Sequence, residues 1–112
     1  MRTLKLFFYS TILVTTFLSC ESQVSIAVTC VDSETKQPIE GVKVLVEAGK
    51  NGDYTKAGGE GYTSADGRFD MSMMIGCAFG CYDIYITYIK DGYQTKKDFN
   101  VLTGRIDLIS EQ

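Results

Sequence analysis

The sequence of 112 residues contains no histidine and no tryptophan, and proline occurs only once. Histidine is the usual general base near neutral pH and the commonest metal ligand, so its absence disfavours acid–base catalysis and metal chemistry. Glycine, in contrast, occurs 11 times, and β-branched and aromatic residues alternate with polar ones. This composition favours strands joined by tight turns. We therefore expect an all-β protein that is not an enzyme and needs no cofactor.

Positive charge is also scarce in the part of the chain that we expect to fold. The sequence has 11 basic and 14 acidic residues. Arg2 and Lys5 lie in the N-terminal segment, and the remainder without residues 1–19 carries a net charge of −5. Clustered lysine and arginine drive binding to phosphate backbones, so we do not expect a nucleic-acid partner.

The first 19 residues have the anatomy of an export signal. Arg2 and Lys5 form a positive region, and an apolar stretch runs from Leu6 to Leu18. This stretch is shorter than the roughly 20 apolar residues that a membrane-spanning helix requires. We expect a cleaved signal peptide at residues 1–19, with an uncleaved anchor as the weaker alternative.

The signal ends in Phe17-Leu18-Ser19-Cys20, which resembles a bacterial lipobox. The resemblance implies that the Cys20 thiol receives a diacylglyceryl group, and several acyl chains anchor a protein stably to a membrane. Glu21 is not aspartate, which under lipoprotein sorting rules favours the outer membrane of the cell envelope. We expect residues 20–23 to be the anchor and a short tether, and residues 24–112 to be one domain. An ordinary secretory signal with a coincidental cysteine remains the alternative.

Alternation of apolar and polar residues predicts strands along the domain. The predicted strands are residues 24–31, 42–48, 62–64, 68–75, 82–89, 93–101 and 105–109. The segment 82–89 is apolar on both sides, which indicates a central strand. Six or seven short strands at this spacing indicate a β-sandwich.

Two connections are predicted from their composition. Residues 49–61 are rich in glycine and charged side chains, so we expect a long loop there. The turn Ala65-Asp66-Gly67 supplies the backbone conformation of a tight hairpin, so we expect the strands before and after it to pair. The buried face of the second of these strands would consist of Phe69, Met71, Met73 and Ile75.

Four segments occur in an order that points to one family: residues 35–44 (TKQPIEGVKV), 63–69 (TSADGRF), 80–84 (GCYDI) and 92–93 (GY). Together they resemble the transthyretin-like, carboxypeptidase-regulatory-like domain family. The resemblance implies a seven-stranded Greek-key β-sandwich of the transthyretin (prealbumin) type, which in most members is a binding or accessory module. The hydroxyisourate hydrolases of this fold use histidines that this chain lacks, so their activity is not implied.

The cysteines other than Cys20 leave several pairings open. Cys77 and Cys81 flank a three-residue turn and can approach the separation that a disulfide requires. We expect this pair to be bridged and Cys30 to be a buried, free thiol. A bridge from Cys30 to either partner, and three reduced thiols, are the alternatives. Zinc usually takes four ligands, so a metal site at Cys77 and Cys81 is not expected.

The remaining candidates are aromatic and acidic side chains. Four tyrosines form a possible binding face, with core packing as the ordinary alternative: Tyr82, Tyr85, Tyr88 and Tyr93. Acidic residues of the turns are expected to be solvated rather than to bind calcium: Asp32, Glu34, Asp53, Asp66 and Asp70.

From these features we expect a lipid-anchored, non-catalytic binding or structural module of the bacterial cell envelope. Its partners would be the membrane, through the N-terminal lipid, and an envelope protein or small ligand. A glycan-binding or small-ligand-binding lipoprotein is the first alternative, and a hydrolase using aspartate or tyrosine is the second.

Overall fold

A computed structural model describes residues 21–77 and 80–111. These residues form seven strands and no helix: β1 (Glu21–Asp32), β2 (Lys43–Lys50), β3 (Asp53–Tyr62), β4 (Arg68–Gly76), β5 (Asp83–Ile89), β6 (Lys96–Phe99) and β7 (Thr103–Leu108). One sheet has the order β4-β1-β7 and the other the order β3-β2-β5-β6. The prediction of a seven-stranded, all-β sandwich is confirmed.

The chain passes from one sheet to the other after β1, β3, β4 and β6. Within the four-stranded sheet, β2 pairs with β3 and β5 pairs with β6, all antiparallel. In the three-stranded sheet, β1 pairs antiparallel with β4 and parallel with β7. β5 lies between β2 and β6, so the prediction that residues 82–89 form a central strand is confirmed.

The core lies between the two sheets and is almost entirely apolar. In β2, Val44 and Val46 are buried, whereas Lys43, Leu45 and Glu47 alternate with them on the outer face. Full burial of a valine or isoleucine side chain contributes roughly 1.5–3 kcal/mol. This alternation fixes which side chains of the four-stranded sheet remain available to a partner.

The expected loop at residues 49–61 is wrong, because most of it forms strand β3. β3 is an edge strand that pairs only with β2. Its backbone hydrogen bonds with β2 form although its own sequence shows no alternation of apolar and polar residues. Its glycines also admit side chains of the opposite sheet: a Cβ at Gly61 would lie 2.7 Å from a ring carbon of Phe69. The glycine content that suggested a loop therefore reflects close packing between the sheets.

The expected hairpin around Asp66 is wrong, although the tight turn itself is present. The amide of Gly67 donates to the carbonyl of Ser64 at 2.9 Å, and Gly67 has a φ of 76°. However, β3 pairs with β2, while β4 pairs with β1. The turn therefore connects the two sheets. The predicted inner face of β4 is confirmed, with two side chains buried and two partly buried: Phe69, Ile75, Met71 and Met73.

The expected tether at residues 21–23 is also wrong. Strand β1 begins at Glu21, and Glu21, Ser22 and Gln23 pair with the last residues of β4, from Gly76 back to Met74. The apolar alternation begins only at Val24, and this is why the sequence suggested a later start. Pairing with β4 extends the strand through the preceding polar residues.

Candidate functional site

Three aromatic side chains gather on the outer face of the four-stranded sheet, and we call them the aromatic cluster: Tyr54, Tyr85 and Phe99. Tyr85 of β5 lies directly opposite Phe99 of β6, and their ring centroids are 5.1 Å apart at a tilt of 46°. The ring of Tyr54 in β3 meets that of Tyr85 edge to face, with centroids 4.9 Å apart. Aromatic pairs prefer such tilted and edge-to-face geometries. The cluster therefore spans the sheet from one edge strand to the other.

The aromatic cluster combines exposed apolar surface with polar groups. Phe99 is 51% exposed, and the ammonium of Lys97 lies 4.8 Å from the ring centroid of Tyr85, within the range of a cation–π interaction. Burial raises the pKa of Tyr54, and a hydrogen bond with Tyr85 and the charge of Asp83 raise it further. Tyr54 thus stays protonated near neutral pH.

A cavity of about 300 Å³ adjoins the aromatic cluster, and we call it the β6–β7 cavity. It is lined by Gln94, Thr95, Lys96, Lys97, Asp107 and Ile109. Lys97 therefore belongs to both surfaces. Oδ1 of Asp107 lies 3.6 Å from the Lys36 ammonium and 3.4 Å from Nε of Arg105. The single acidic group of the lining is thus offset by two cations.

The four tyrosines predicted as a binding face do not lie on one surface. Tyr85 alone belongs to the aromatic cluster. Tyr88 is fully buried in the core, Tyr82 packs partly buried against it, and the Tyr93 hydroxyl donates to Asp32 at 2.8 Å. Side chains alternate across a strand, so Tyr85 and Tyr88 of β5 necessarily point to opposite faces.

Sequence reasoning missed Tyr54 and Phe99 as members of the site. Tyr54 fell in the segment interpreted as a loop, and Phe99 lay near the end of a strand whose partner was unknown. A usable signal was that Phe99 and Lys97 are two residues apart, since such residues share one face of a strand. The register of β6 against β5 then places both beside Tyr85.

The cysteines have the expected arrangement. Cys77 and Cys81 form a disulfide, and Cys30 is a buried free thiol. Burial raises the pKa of Cys30 to about 11, although the charge of Lys96 opposes this change. A thiol with such a pKa is not nucleophilic at neutral pH, so Cys30 contributes to packing rather than chemistry.

The acidic turn residues act as acceptors for their own turns. Oδ1 of Asp32 accepts from the amides of Glu34 and Thr35, Asp53 accepts from Thr55, and Asp66 accepts from Ser64. Hydrogen bonds of this kind lower the pKa of Asp32, Asp53 and Asp66. Among residues 21–77 and 80–111, no group of three or more cysteine or carboxylate side chains is arranged to hold a metal ion.

The predicted lipidation residue, Cys20, lies outside the described residues, directly before β1. In the part of the chain that the structure describes, no helix is long and apolar enough to cross a membrane.

Solved structures with different functions share this fold. The 3-chlorocatechol 1,2-dioxygenase from Rhodococcus opacus 1CP aligns with a TM-score of 0.61 at 12% identity, over 80% of this chain and 60% of its own. The group B streptococcus pilus 2b backbone protein aligns with a TM-score of 0.52 at 16% identity, over 79% and 41%. The shaft pilin SpaA from Lactobacillus rhamnosus GG gives 0.51 at 12% identity, over 81% and 47%.

This chain therefore spans less than two thirds of the length of each of these neighbours. At such low identities the likeness concerns the fold alone. No family model matches the chain, and no curated protein matches it in sequence.

Proposed function

We propose that this chain is a lipid-anchored, non-catalytic binding module of the bacterial cell envelope. The observation that carries the proposal is the junction at Cys20. The lipobox-like segment ends at this residue, and β1 begins at the next one, Glu21. The lipobox-like segment thus ends where strand β1 starts.

The absence of a tether between Cys20 and β1 has a consequence for the anchored domain. Glu21 is already paired with Gly76 of β4, so a lipid on Cys20 would attach to an ordered strand. The end of the sandwich that carries Glu21, Gly76 and the Cys77–Cys81 disulfide would then lie next to the bilayer. We propose the outer membrane as its location, because Glu21 follows the lipidated cysteine.

The aromatic cluster supports a binding role. Clustered aromatic side chains are common in binding surfaces because they offer large contact areas at a small cost in side-chain entropy. Phe99 is half exposed at an edge strand, where a partner can reach it. The sandwich is also the fold that the resemblance to transthyretin-like domains implies, and we propose that family for this chain.

The pKa values of three aspartates favour a binding role over a hydrolase. A general base is most effective when its pKa lies near the working pH. The pKa of Asp32, Asp53 and Asp66 is lowered instead, chiefly by hydrogen bonds within their turns. These aspartates are stabilised as anions, which makes them poor proton acceptors at neutral pH.

Fractionation of bacterial envelopes tests the proposal. The full-length chain, Cys20→Ser and the control Phe17→Leu would be produced in a Gram-negative host, and inner and outer membranes separated by density. We expect the wild type and Phe17→Leu in the outer membrane and Cys20→Ser outside it. Co-sedimentation of Cys20→Ser with the outer membrane at the wild-type level would overturn the proposal.

A further inference from the structure

Strand β4 forms a long, regular edge of the three-stranded sheet. Its 9 residues pair with β1 without a bulge. The carbonyl of Gly67, directly before β4, accepts from the amide of Cys30 in β1 at 2.8 Å. Backbone groups point alternately to the two sides of a strand, so Asp70, Ser72 and Met74 direct their N–H and C=O groups away from β1. Within residues 21–77 and 80–111, no backbone group binds these three positions.

The two ends of this edge are closed by the chain itself. The carbonyl of Arg68 accepts from the amide of Ser64 at 3.0 Å, and the carbonyl of Gly76 accepts from the amide of Tyr82 at 3.1 Å. A short open segment lies between these two bonds. From Met71 to Gly76 the sequence has no charged residue and no proline, which are two common protections of an edge strand against pairing. An extended chain can therefore add to the sheet here.

The open segment of β4 is complementary to itself. When two copies pair antiparallel with Ser72 opposite Ser72, Asp70 of each copy lies opposite Met74 of the other. All three residues then both donate and accept a backbone hydrogen bond. Shifted registers leave some of these groups unpaired or place the two Asp70 side chains opposite each other. The backbone and the charges therefore favour a second copy in this one register.

The inner side chains of β4 suit the same register. Phe69 of each copy would lie opposite Ile75 of the other, and Met71 opposite Met73. All four side chains are apolar and face the core. Apolar pairs across neighbouring strands stabilise a sheet, so the contact would continue the apolar layer from one sandwich to the next.

Strand β3 lies over β4 on this side of the sandwich. Two of its glycines face side chains of β4, and an added Cβ would contact each of them: Gly61 with Phe69, and Gly59 with Met71. The same series sets Gly58 over Ser72. A two-fold axis that passes beside Ser72, perpendicular to the sheets, therefore also passes beside Gly58.

Lys56 and Glu60 of β3 are placed symmetrically about this axis. They lie two residues before and after Gly58, so the axis brings Lys56 of one copy toward Glu60 of the other. Lys56 is exposed and makes no ion pair among the described residues, whereas Glu60 pairs with Lys43 at 3.2 Å. β3 has a bulge opposite Ala48, so we assign the backbone pairing to β4 and only side-chain contacts to β3. Complementary charges of this kind favour one orientation of a pair.

We propose that two copies of this chain associate through the β3–β4 side of the sandwich, with their β4 strands paired antiparallel about Ser72. The interface is isologous, as in two-fold dimers generally. The N termini of the two β1 strands lie at opposite ends of the joined sheet. A bilayer along the outer face of this sheet would hold both lipids of the proposed anchors, and the aromatic cluster would point away from it.

Disulfide cross-linking tests the pairing. The full-length Ser72→Cys variant would be produced at a low level in a Gram-negative host and oxidised with copper phenanthroline in detergent lysates, so that the result does not depend on export. We expect a disulfide-linked dimer on a non-reducing gel. The matched control is Ser25→Cys, because Ser25 is exposed and lies opposite Ser72 in β1. The proposed axis holds the two Ser25 residues about 14 Å apart, or three strand spacings, and the wild type controls for the native cysteines.

Two further cysteine variants test the register. Residues 70 and 74 lie opposite each other only between copies. We therefore expect Asp70→Cys and Met74→Cys to cross-link when they are co-expressed with different tags. Each variant alone should cross-link little, because like residues lie about 13 Å apart along the paired strands.

The charge at position 74 tests the interface without moving the cysteine. In the Ser72→Cys background, Met74→Asp sets a like charge opposite Asp70, whereas Met74→Lys sets an opposite charge there. We expect the cross-linked fraction to be about fivefold lower with aspartate than with lysine. Met74 is 50% exposed, so both substitutions should leave the fold intact, as circular dichroism would show.

Several results would overturn the inference. These are no cross-linked dimer of Ser72→Cys, equal cross-linking of Ser25→Cys, equal cross-linking of either register variant alone, or equal fractions for Met74→Asp and Met74→Lys. Envelope fractionation stays independent of this outcome. A protein that reaches the outer membrane without forming the dimer contradicts self-association alone, whereas loss of the membrane location contradicts the proposed function.

Discussion

The hydroxyl of Tyr93 donates a hydrogen bond to Oδ2 of Asp32 at 2.8 Å, which links the turn after β5 to the end of β1 in the other sheet. The other carboxylate oxygen accepts from the amides of Glu34 and Thr35. The amide of Thr35 is the main cause of the low pKa of Asp32, followed by the Tyr93 hydroxyl. The same bond raises the pKa of Tyr93.

The Tyr93→Phe variant should raise the pKa of Asp32 toward its ordinary value without reaching it, because the amide of Thr35 still donates. A carboxyl group with a lowered pKa in the folded state stabilises the protein above its unfolded pKa of about 3.9, and this stability is lost as the pH falls through the folded value. The variant should therefore melt below the wild type at pH 7, and the two should converge toward pH 2.

Carbon NMR titration of the Asp32 carboxyl and thermal unfolding at several pH values measure both effects. The control is Tyr62→Phe, since Tyr62 is 66% exposed. An unchanged pKa of Asp32, or a melting difference that does not depend on pH, would contradict this account.

Tyr88 should tolerate the loss of its hydroxyl. Its side chain is fully buried, and among the described residues its hydroxyl has no hydrogen-bond partner. An unpaired buried hydroxyl carries a desolvation cost of about 1–3 kcal/mol. We expect Tyr88→Phe to unfold at the same denaturant concentration as the wild type or a higher one. A loss of more than about 1 kcal/mol would reveal a partner for the hydroxyl.

Thr63 should not tolerate the loss of its hydroxyl, because this buried group both donates and accepts a hydrogen bond. Oγ1 donates to the carbonyl of Ile39 at 2.7 Å and accepts from the amide of Val42 at 2.9 Å. Thr63→Val keeps the shape but leaves both backbone groups without this partner. We expect a loss of about 1–3 kcal/mol in the free energy of unfolding. Thr63→Ser, which retains the hydroxyl, is the matched control and should lose less; equal losses would contradict the role of the hydrogen bonds.

Two glycines of β3 allow a test of sheet-to-sheet packing. A Cβ at Gly61 would lie 2.7 Å from the Phe69 ring, whereas one at Gly59 would lie 3.1 Å from the mobile methyl of Met71. Gly61→Ala should therefore cost about 1–3 kcal/mol, as overpacked core substitutions do. Gly59→Ala should cost less, because a methionine side chain adjusts easily. Chemical denaturation measures both, and equal effects would argue against close packing at Gly61.

Strands with their own apolar alternation could be predicted from sequence, whereas strands defined by their partners could not. Strands β1 and β2 could be predicted because residues 24–31 and 42–48 alternate between apolar and polar side chains, and each strand buries one face. The sequence of β3 shows little alternation of apolar and polar residues, since its glycines leave room for side chains of β4. The same limit applies to the site: Tyr85 was a candidate, but its contacts with Tyr54 and Phe99 depend on the register between strands.

The cysteine pattern was more informative, because it depends on local spacing. Cys77 and Cys81 are only four residues apart, so their proximity follows from the chain itself. Cys30 is left as a buried free thiol, as expected. Lipidation of Cys20 is likewise a local, chemical prediction, and it can be tested on that residue alone.

Metabolic labelling with radioactive palmitate tests the central claim most directly. Wild type, Cys20→Ser and the control Cys30→Ser would be expressed at full length in a Gram-negative host, immunoprecipitated and compared for label per amount of protein. The account predicts label in the wild type and in Cys30→Ser and none in Cys20→Ser. Equal label in the wild type and Cys20→Ser, or no label in the wild type, would contradict it.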